Sequence, residues 1–189
     1  KKLVVALTSI YNMTVEDEPE FMLGIAIDHD IKAGTLRLSQ EAYCNRMLET
    51  YNMTDCKPVK TPAAVERLTA GVGEFSKEEA EAMKKVPYRN AVGALLFLML
   101  CTRPDLAFAY AELSKFLSCP GQKHLEQAEW CLTYLVGTID RGITYSAPAK
   151  DRINILEGWV DSDFAADPDT RRSVTGYVVV LNNGPIAWK

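Results

Sequence analysis

The sequence predicts an α+β fold on three observations. Two strand-like runs joined by a polar loop stand near the start, a block of helical periodicity fills the middle, and an Asn-Asn-Gly turn between two apolar runs closes the chain. The 189 residues, 48% hydrophobic and 24% charged, have ordinary globular composition and suit one or two domains. With 11 Gly and 9 Pro, collagen-like and low-complexity chains are excluded. A net charge of -4 and an isoelectric point near 5.3 argue against a surface that grips nucleic acid everywhere, while leaving room for a local basic stripe.

The elements follow in order. Leu3 to Asn12 fits a helix or a strand, since periodicity does not decide between them. Glu16, Asp17, Glu18, Pro19 and Glu20 make an acidic turn. Met22 to Ile27 reads as one buried strand, and Thr35 to Ser39 alternates as its hairpin partner. The polar stretch between them, Asp28 to Gly34, suits a loop with a bulge. Ser39 is the expected cap of a helix whose apolar face is Ala42, Tyr43, Met47, Leu48 and Tyr51. Pro58 and Pro62 hold the residues before them extended, so Lys57 to Gly73 reads as a strap laid over a surface. Ser76 and Glu79 form a capping box for a short helix from Lys77 to Lys85.

Three helices come next. Tyr88 to Thr102 is apolar all round and is expected to be buried. Pro104 and Asp105 open the second, which presents Leu106, Ala109, Tyr110, Leu113, Phe116 and Leu117 until Pro120-Gly121 stops it. Gln122 to Val136 is the third, with Gly137 as its stop. Strands follow at Gly142 to Tyr145 and Ile153 to Val160, linked by Ala147 to Arg152. Val178 to Leu181 and Ile186 to Trp188 form a hairpin around Asn182-Asn183-Gly184, where Asn-Gly suits positive φ. This sheet is left with an unpaired edge.

Chemistry concentrates in Trp159-Val160-Asp161-Ser162-Asp163, followed by Asp167, Asp169, Arg171 and Arg172. Asp161 at the end of a hydrophobic strand suits a Mg²⁺ ligand, because hard cations take oxygen donors. The same residues also read as a solvated Asp-rich turn. Thr102-Arg103-Pro104-Asp105 could hold a phosphate at a helix start, or Asp105 could simply complement the helix dipole. Gly71-Val72-Gly73 has no strand before it and is no phosphate loop. His124 lacks a neighbouring nucleophile and reads as a satisfied surface histidine. Trp130 and Tyr134, four apart, read as packing. No GxSxG, HExxH or Walker motif occurs. The five cysteines, odd in number and without a CxxC pair, read as reduced thiols. No run reaches the ~20 apolar residues of a membrane span and no signal-peptide pattern opens the sequence, so the expected location is intracellular.

An ordered series of strings is familiar: Met22-Leu23-Gly24-Ile25, Leu38-Ser39-Gln40-x-x-Tyr43, Lys57-Pro58-Val59-x-Thr61-Pro62, Tyr88-Arg89-x-Ala91-Val92-Gly93-x-Leu95, Thr102-Arg103-Pro104-Asp105-Leu106-Ala107 and Tyr134-Leu135-x-Gly137-Thr138. It ends on Asp161-Ser162-Asp163-x-Ala165 and Arg171-Arg172-Ser173-x-Thr175-Gly176-Tyr177-Val178. From Phe21 to Lys189 the series resembles copia-type LTR retrotransposon Pol polyproteins, where a reverse transcriptase runs into RNase H. The resemblance implies four segments. Residues 1–56 end the reverse transcriptase palm with a primer-grip-like hairpin and helix, and 57–87 form a linker or strap. Residues 88–147 are a helical thumb or connection segment, and 148–189 are the N-terminal part of an RNase H-like sheet.

It further implies RNA-directed DNA polymerisation and RNase H cleavage in the parent protein, with Mg²⁺ as cofactor and an RNA/DNA template–primer and the remainder of the Pol polyprotein as partners. Met22, Leu23 and Gly24 match the primer grip, and Asp161 matches the first RNase H carboxylate. The expected place is a cytoplasmic virus-like particle or the nucleus. Ala26 replaces a usual Glu, and Phe164 and Ala166 stand where Trp and Gly are common. The polymerase Tyr-x-Asp-Asp string is absent from this sequence, and one carboxylate cannot build a two-metal site. The chain alone is therefore expected to catalyse neither reaction. The alternative is a non-catalytic, transposon-derived module that binds protein or nucleic acid.

Overall fold

The computed structural model describes residues 2–64, 66–70, 83, 86–147 and 155–189. Among them are five α-helices, a single 3-10 turn and two antiparallel sheets. The Gly71-Val72-Gly73 string, the Ser76–Glu79 capping box, most of the Lys77–Lys85 helix and positions 148–154 lie outside the described residues.

The Leu3 to Asn12 segment, open between helix and strand in the sequence, carries helix α1 (Lys2–Ile10), with Leu3, Val5 and Ile10 exposed. Met22 to Ile27 is not one buried strand. Strand β1 (Phe21–Met22) reverses at Leu23-Gly24 into β2 (Ile25–Asp30), pairing Met22 with Ile25. Both turn residues have positive φ, 51° and 84°, the pattern of a type I′ hairpin turn. The turn is hidden in the sequence because Leu rarely takes this conformation, and Phe21, Met22 and Leu23 are all exposed.

In the next hairpin the expected pairing forms, β2 with β3 (Thr35–Ser39), but β2 runs on through Asp28, His29 and Asp30, which the sequence places in the loop. Its loop closes without a bulge in the register: the Asp30 carboxylate accepts the N–H groups of Lys32 and Ala33, and Gly34 takes φ 68°. Ser39 does not cap helix α2 (Glu41–Thr50); it is the last residue of β3, and Gln40 takes the cap position without a side-chain cap bond. The inward face of α2 is Cys44, Met47 and Leu48, whereas Ala42 points outward.

Helices α3 (Tyr88–Cys101), α4 (Ala107–Ser114) and α5 (Gln122–Val136) build the core with α2. Leu95, Leu98, Leu106, Leu113 and Leu135 have 0% exposure, and a fully buried Leu stabilises by about 1.5–3 kcal/mol. Helix α3 is less enclosed than its composition implies, with Gly93 and Leu100 on an outward stripe. The expected helix from Pro104 starts instead as a 3-10 turn (Pro104–Leu106), and α4 stops at Ser114. Phe116 stays buried beyond its end.

Strand β4 (Gly142–Ser146) joins the first sheet by pairing with β3, giving the order β1-β2-β3-β4. The second sheet is β5 (Leu156–Asp163), β6 (Val174–Leu181) and β7 (Gly184–Trp188). Its tight turn is Asn182-Asn183, at φ 50° and 64°, rather than Asn-Gly. Gly184 opens β7, where a Cβ would strike the Tyr145 ring. The sheets meet there: the Tyr145 hydroxyl donates to the Pro185 carbonyl at 2.8 Å and the Ser146 N–H to that of Asn182 at 2.9 Å. Trp188 Nε1 donates to Met99 O at 2.9 Å and ties the second sheet to α3. Strand β5 pairs with β6 alone among the described residues, leaving an open edge that carries exposed Trp159 and Val160. No helix among the described residues is long and apolar enough to cross a membrane.

Candidate functional site

The described residues of 57–70 cross α5 without regular structure, as the prolines dictate. Trp130 Nε1 donates to Thr61 O at 3.0 Å, and the Ala64 N–H donates to Gln127 Oε1 at 3.3 Å. Gly137 is needed for this close approach: a Cβ there would sit 2.7 Å from Pro58 Cβ. It ends α5 at φ −87°, so the strap rather than a left-handed stop explains the glycine.

His124 is buried, not on the surface. Its Nδ1 accepts the Gly121 N–H at 2.7 Å, which leaves the proton on Nε2 to be donated to Thr69 O at 2.9 Å. The ring stacks on Phe116 at 3.9 Å. Burial lowers its pKa, against a smaller upward pull from the Thr69 carbonyl, and holds it neutral as a pin for the strap.

Among the described residues, Arg103 is the largest fully buried side chain. Its Nε and Nη2 grip the two carboxylate oxygens of Asp105 at 2.9 and 2.7 Å, Nη1 donates to Thr138 O at 2.9 Å and Nη2 to Thr138 Oγ1 at 2.8 Å. The Tyr134 hydroxyl donates to Asp105 at 2.7 Å and accepts from Arg141 at 2.8 Å. Burial alone would raise the Asp105 carboxyl, but the hydrogen bonds and charge of Arg103 outweigh it and hold it below the ordinary carboxylate range. A guanidinium 1% exposed has no face left for a phosphate, so the phosphate reading of this string is corrected. The same environment pushes the thiols of Cys44 and Cys131 up, by burial, to about 11 and about 12. All five cysteines are free thiols.

Asp161 lies within β5, paired with Gly176, rather than at the strand's end. It is exposed, and its Oδ1 accepts the N–H of Ser162 at 2.9 Å. Asp163 is committed elsewhere, to Arg67 of the strap at 2.7 Å. Arg67 also reaches buried Glu112 at 3.3 Å, which Lys115 holds at 2.7 Å. Lys115 in turn pairs with Asp167 at 2.9 Å, and the Ala70 N–H donates to Asp169 at 2.7 Å. This clasp fastens strap, α4 and the loop after β5 together. The sequence offers one local signal of it, the i,i+3 spacing of Glu112 and Lys115. Among the described residues no three metal-ligating side chains converge. One exposed carboxylate does not fit a Mg²⁺ site by itself.

The Asp167 carboxyl is held well below its ordinary value by Lys115 and by the N–H and hydroxyl of Thr170. A depressed carboxyl stabilises the fold fully above its unfolded value of 3.8, and that contribution drains away as pH falls toward the folded value. Urea unfolding of Asp167→Asn at neutral pH is expected to show lower stability than wild type, with the gap closing below about pH 4. An unchanged midpoint at neutral pH would count against the clasp.

Met22 ends β1, and Leu23 and Gly24 form the hairpin turn. Gly24 faces the Phe97 ring, which packs edge-on against Tyr43 at 4.9 Å and so props the tip on α3 and α2. Asp161 and the tip stand on separate sheets.

The chain is 31% identical over 186 residues to an uncharacterized mitochondrial protein of Arabidopsis thaliana, spanning 98% of this chain and 72% of that one. Over all 189 residues it is 39% identical to the retrovirus-related Pol polyprotein from transposon TNT 1-94 of Nicotiana tabacum. Nearly the whole chain is thus similar to one segment of the retrovirus-related Pol polyproteins of plant transposons. The Pol polyprotein from transposon RE2 of Arabidopsis thaliana is a further relative, 34% identical over 97% of the chain. The chain spans 14% and 12% of the lengths of these two Pol relatives. No family model and no solved structure matches it.

Several strings that carry the Pol resemblance meet in space. Arg103 and Asp105 close on Tyr134 and Thr138, while Pro58 lies on Gly137. These contacts hold the fold together.

Proposed function

We propose that the chain is the part of a retrotransposon Pol protein where the reverse transcriptase ends and RNase H begins, and that it braces the two without catalysing either reaction alone. The observation that carries this reading is the similarity to a Pol polyprotein along the whole chain. The exposed tip at Met22, Leu23 and Gly24 is then the primer-grip-like contact with the primer end, and the rest of Pol and the template–primer are its partners. Asp161 is the RNase H carboxylate that Mg²⁺ requires in the whole protein, where further carboxylates must join it. Such a protein works inside the cell, in a virus-like particle or the nucleus.

The test uses primer–template and RNA–DNA hybrid with Mg²⁺. The 189-residue chain is expected to extend no primer and cleave no hybrid. In the whole Pol protein, Asp161→Asn should leave polymerisation intact and reduce hybrid cleavage more than about a hundredfold, beyond the loss from outer-shell partners of a metal site. Cleavage that survives Asp161→Asn would overturn the assignment.

A second reading, a non-catalytic binding module derived from such an element, is favoured by the mitochondrial relative, of which the chain covers 72%. A Pol protein in which Asp161→Asn changes neither activity, with tight binding by the chain alone, would favour it.

A further inference from the structure

We infer that the loop between β5 and β6, residues 164–173, is a nucleic-acid contact built from Phe164, Arg171 and Arg172. The inference rests on the Pol reading for the identity of its partner, and the loop's own construction carries the rest. Phe164 is 91% exposed, the most exposed large hydrophobic side chain among the described residues. A single exposed apolar residue is ordinary on a slack loop. This loop is not slack.

Asp167 Oδ1 accepts the N–H groups of Asp169 and Thr170 and the Thr170 hydroxyl, at 3.2, 2.7 and 2.8 Å. Backbone bonds join Asp167 to both Arg171 and Arg172, and the Ala165 N–H donates to Ser173 Oγ at 3.2 Å. Lys115 and the Ala70 N–H then fasten Asp167 and Asp169 to α4 and the strap. Two non-glycine residues, Ala165 and Arg171, are held in left-handed backbone at φ 51° and 57°. Such conformations persist only where surrounding contacts over-determine them, and they concentrate at functional segments.

The charge arrangement has a direction as well. The loop's two carboxylates are engaged by protein donors, Asp167 by Lys115 and Asp169 by the Ala70 N–H. Arg171 and Arg172 are exposed and have no ion-pair partner among the described residues. Beside the exposed Pro168, Asp169, Thr170 and Ser173, this loop offers to solvent one aromatic ring and two guanidinium groups. Rings stack on bases and guanidinium groups neutralise phosphates, which is the chemistry that tracks a nucleic-acid strand. Phe164 stands three residues after Asp161 on the same run of chain, about 10 Å at strand spacing. A strand held by the loop would thus pass close to Asp161.

Fluorescence anisotropy of a labelled RNA–DNA hybrid titrated with the 189-residue chain tests this, at several salt concentrations. Phe164→Ala is expected to weaken binding about fivefold or more, the lower end for losing one base stack, and Phe164→Trp to restore it. The paired substitution R171Q/R172Q should make the log–log salt slope shallower by about 2. All three variants should keep the wild-type urea midpoint, since these side chains are exposed. Wild-type chain that binds while every variant binds equally well would overturn the loop and leave the Pol reading intact. A wild-type chain that binds no hybrid would overturn the loop contact, while the Pol reading would stand or fall on Asp161→Asn in the whole protein. Loss in the arginine variant with none in Phe164→Ala would overturn the stacking half.

Discussion

Arg103→Ala is expected to destabilise the chain by about 3–5 kcal/mol, the range for breaking a buried ion pair and leaving one charge behind. For a chain of this size that lowers the melting temperature by about 6–20 °C. Asp105 would be stranded with its charge partly desolvated, and Thr138 would lose two donors at once. Arg103→Lys should recover only part of the loss, because an ammonium cannot make the parallel two-bond grip on Asp105. The pH dependence gives the sharper signature. In wild type the Asp105 carboxyl is depressed, so its contribution is present above the ordinary carboxylate pKa and is lost as pH falls through the folded value. Without Arg103 burial dominates and raises the carboxyl, so stability should instead fall as pH rises through the raised value. Urea midpoints between pH 3 and pH 8 would separate these slopes; parallel profiles would refute the network's role.

Gly142→Ala is the second large effect. Gly142 opens β4 opposite Ser39, and a Cβ there would overlap the Leu38 carbonyl oxygen, a backbone atom that cannot swing aside. The cost should be about 3 kcal/mol, at the upper end for overpacking, and β4 should detach from β3. Gly93→Ala is the control. It lies in α3 with nothing within 4 Å of its would-be Cβ, so the change should stabilise by about 0.5–1 kcal/mol through helix propensity alone. Chemical denaturation measures both, and hydrogen exchange at β3 and β4 amides reports the detachment. A mild effect at Gly142 would mean that the β3–β4 register tolerates a shift.

Much of the fold is legible residue by residue. The 122–136 helix has the bounds its periodicity predicts, β3 pairs back on the strand before it, and the described residues of 57–70 run without regular structure as the prolines imply. The misreadings share a cause. Leu23 hides a turn because its side chain argues for a strand while its backbone is left-handed. Asn182-Asn183 displaces Asn-Gly because Gly184 must clear Tyr145 of the other sheet. His124 reads as surface because nothing nearby in sequence reveals the Thr69 carbonyl that buries it. Asp161 lies two residues before the end of β5 because that strand continues to Asp163 opposite Val174.

By itself, the sequence determined the α+β class, the helical core and the similarity to Pol polyproteins, since composition, periodicity and ordered strings are local properties. Tertiary structure alone decided that β4 joins the first sheet, that Arg103 is a buried latch rather than a phosphate ligand, and that Asp163 serves Arg67. Those outcomes depend on partners far apart along the chain. A guanidinium or carboxylate carries the same chemistry buried or exposed, and only the packing around it selects whether it holds the fold or meets a ligand.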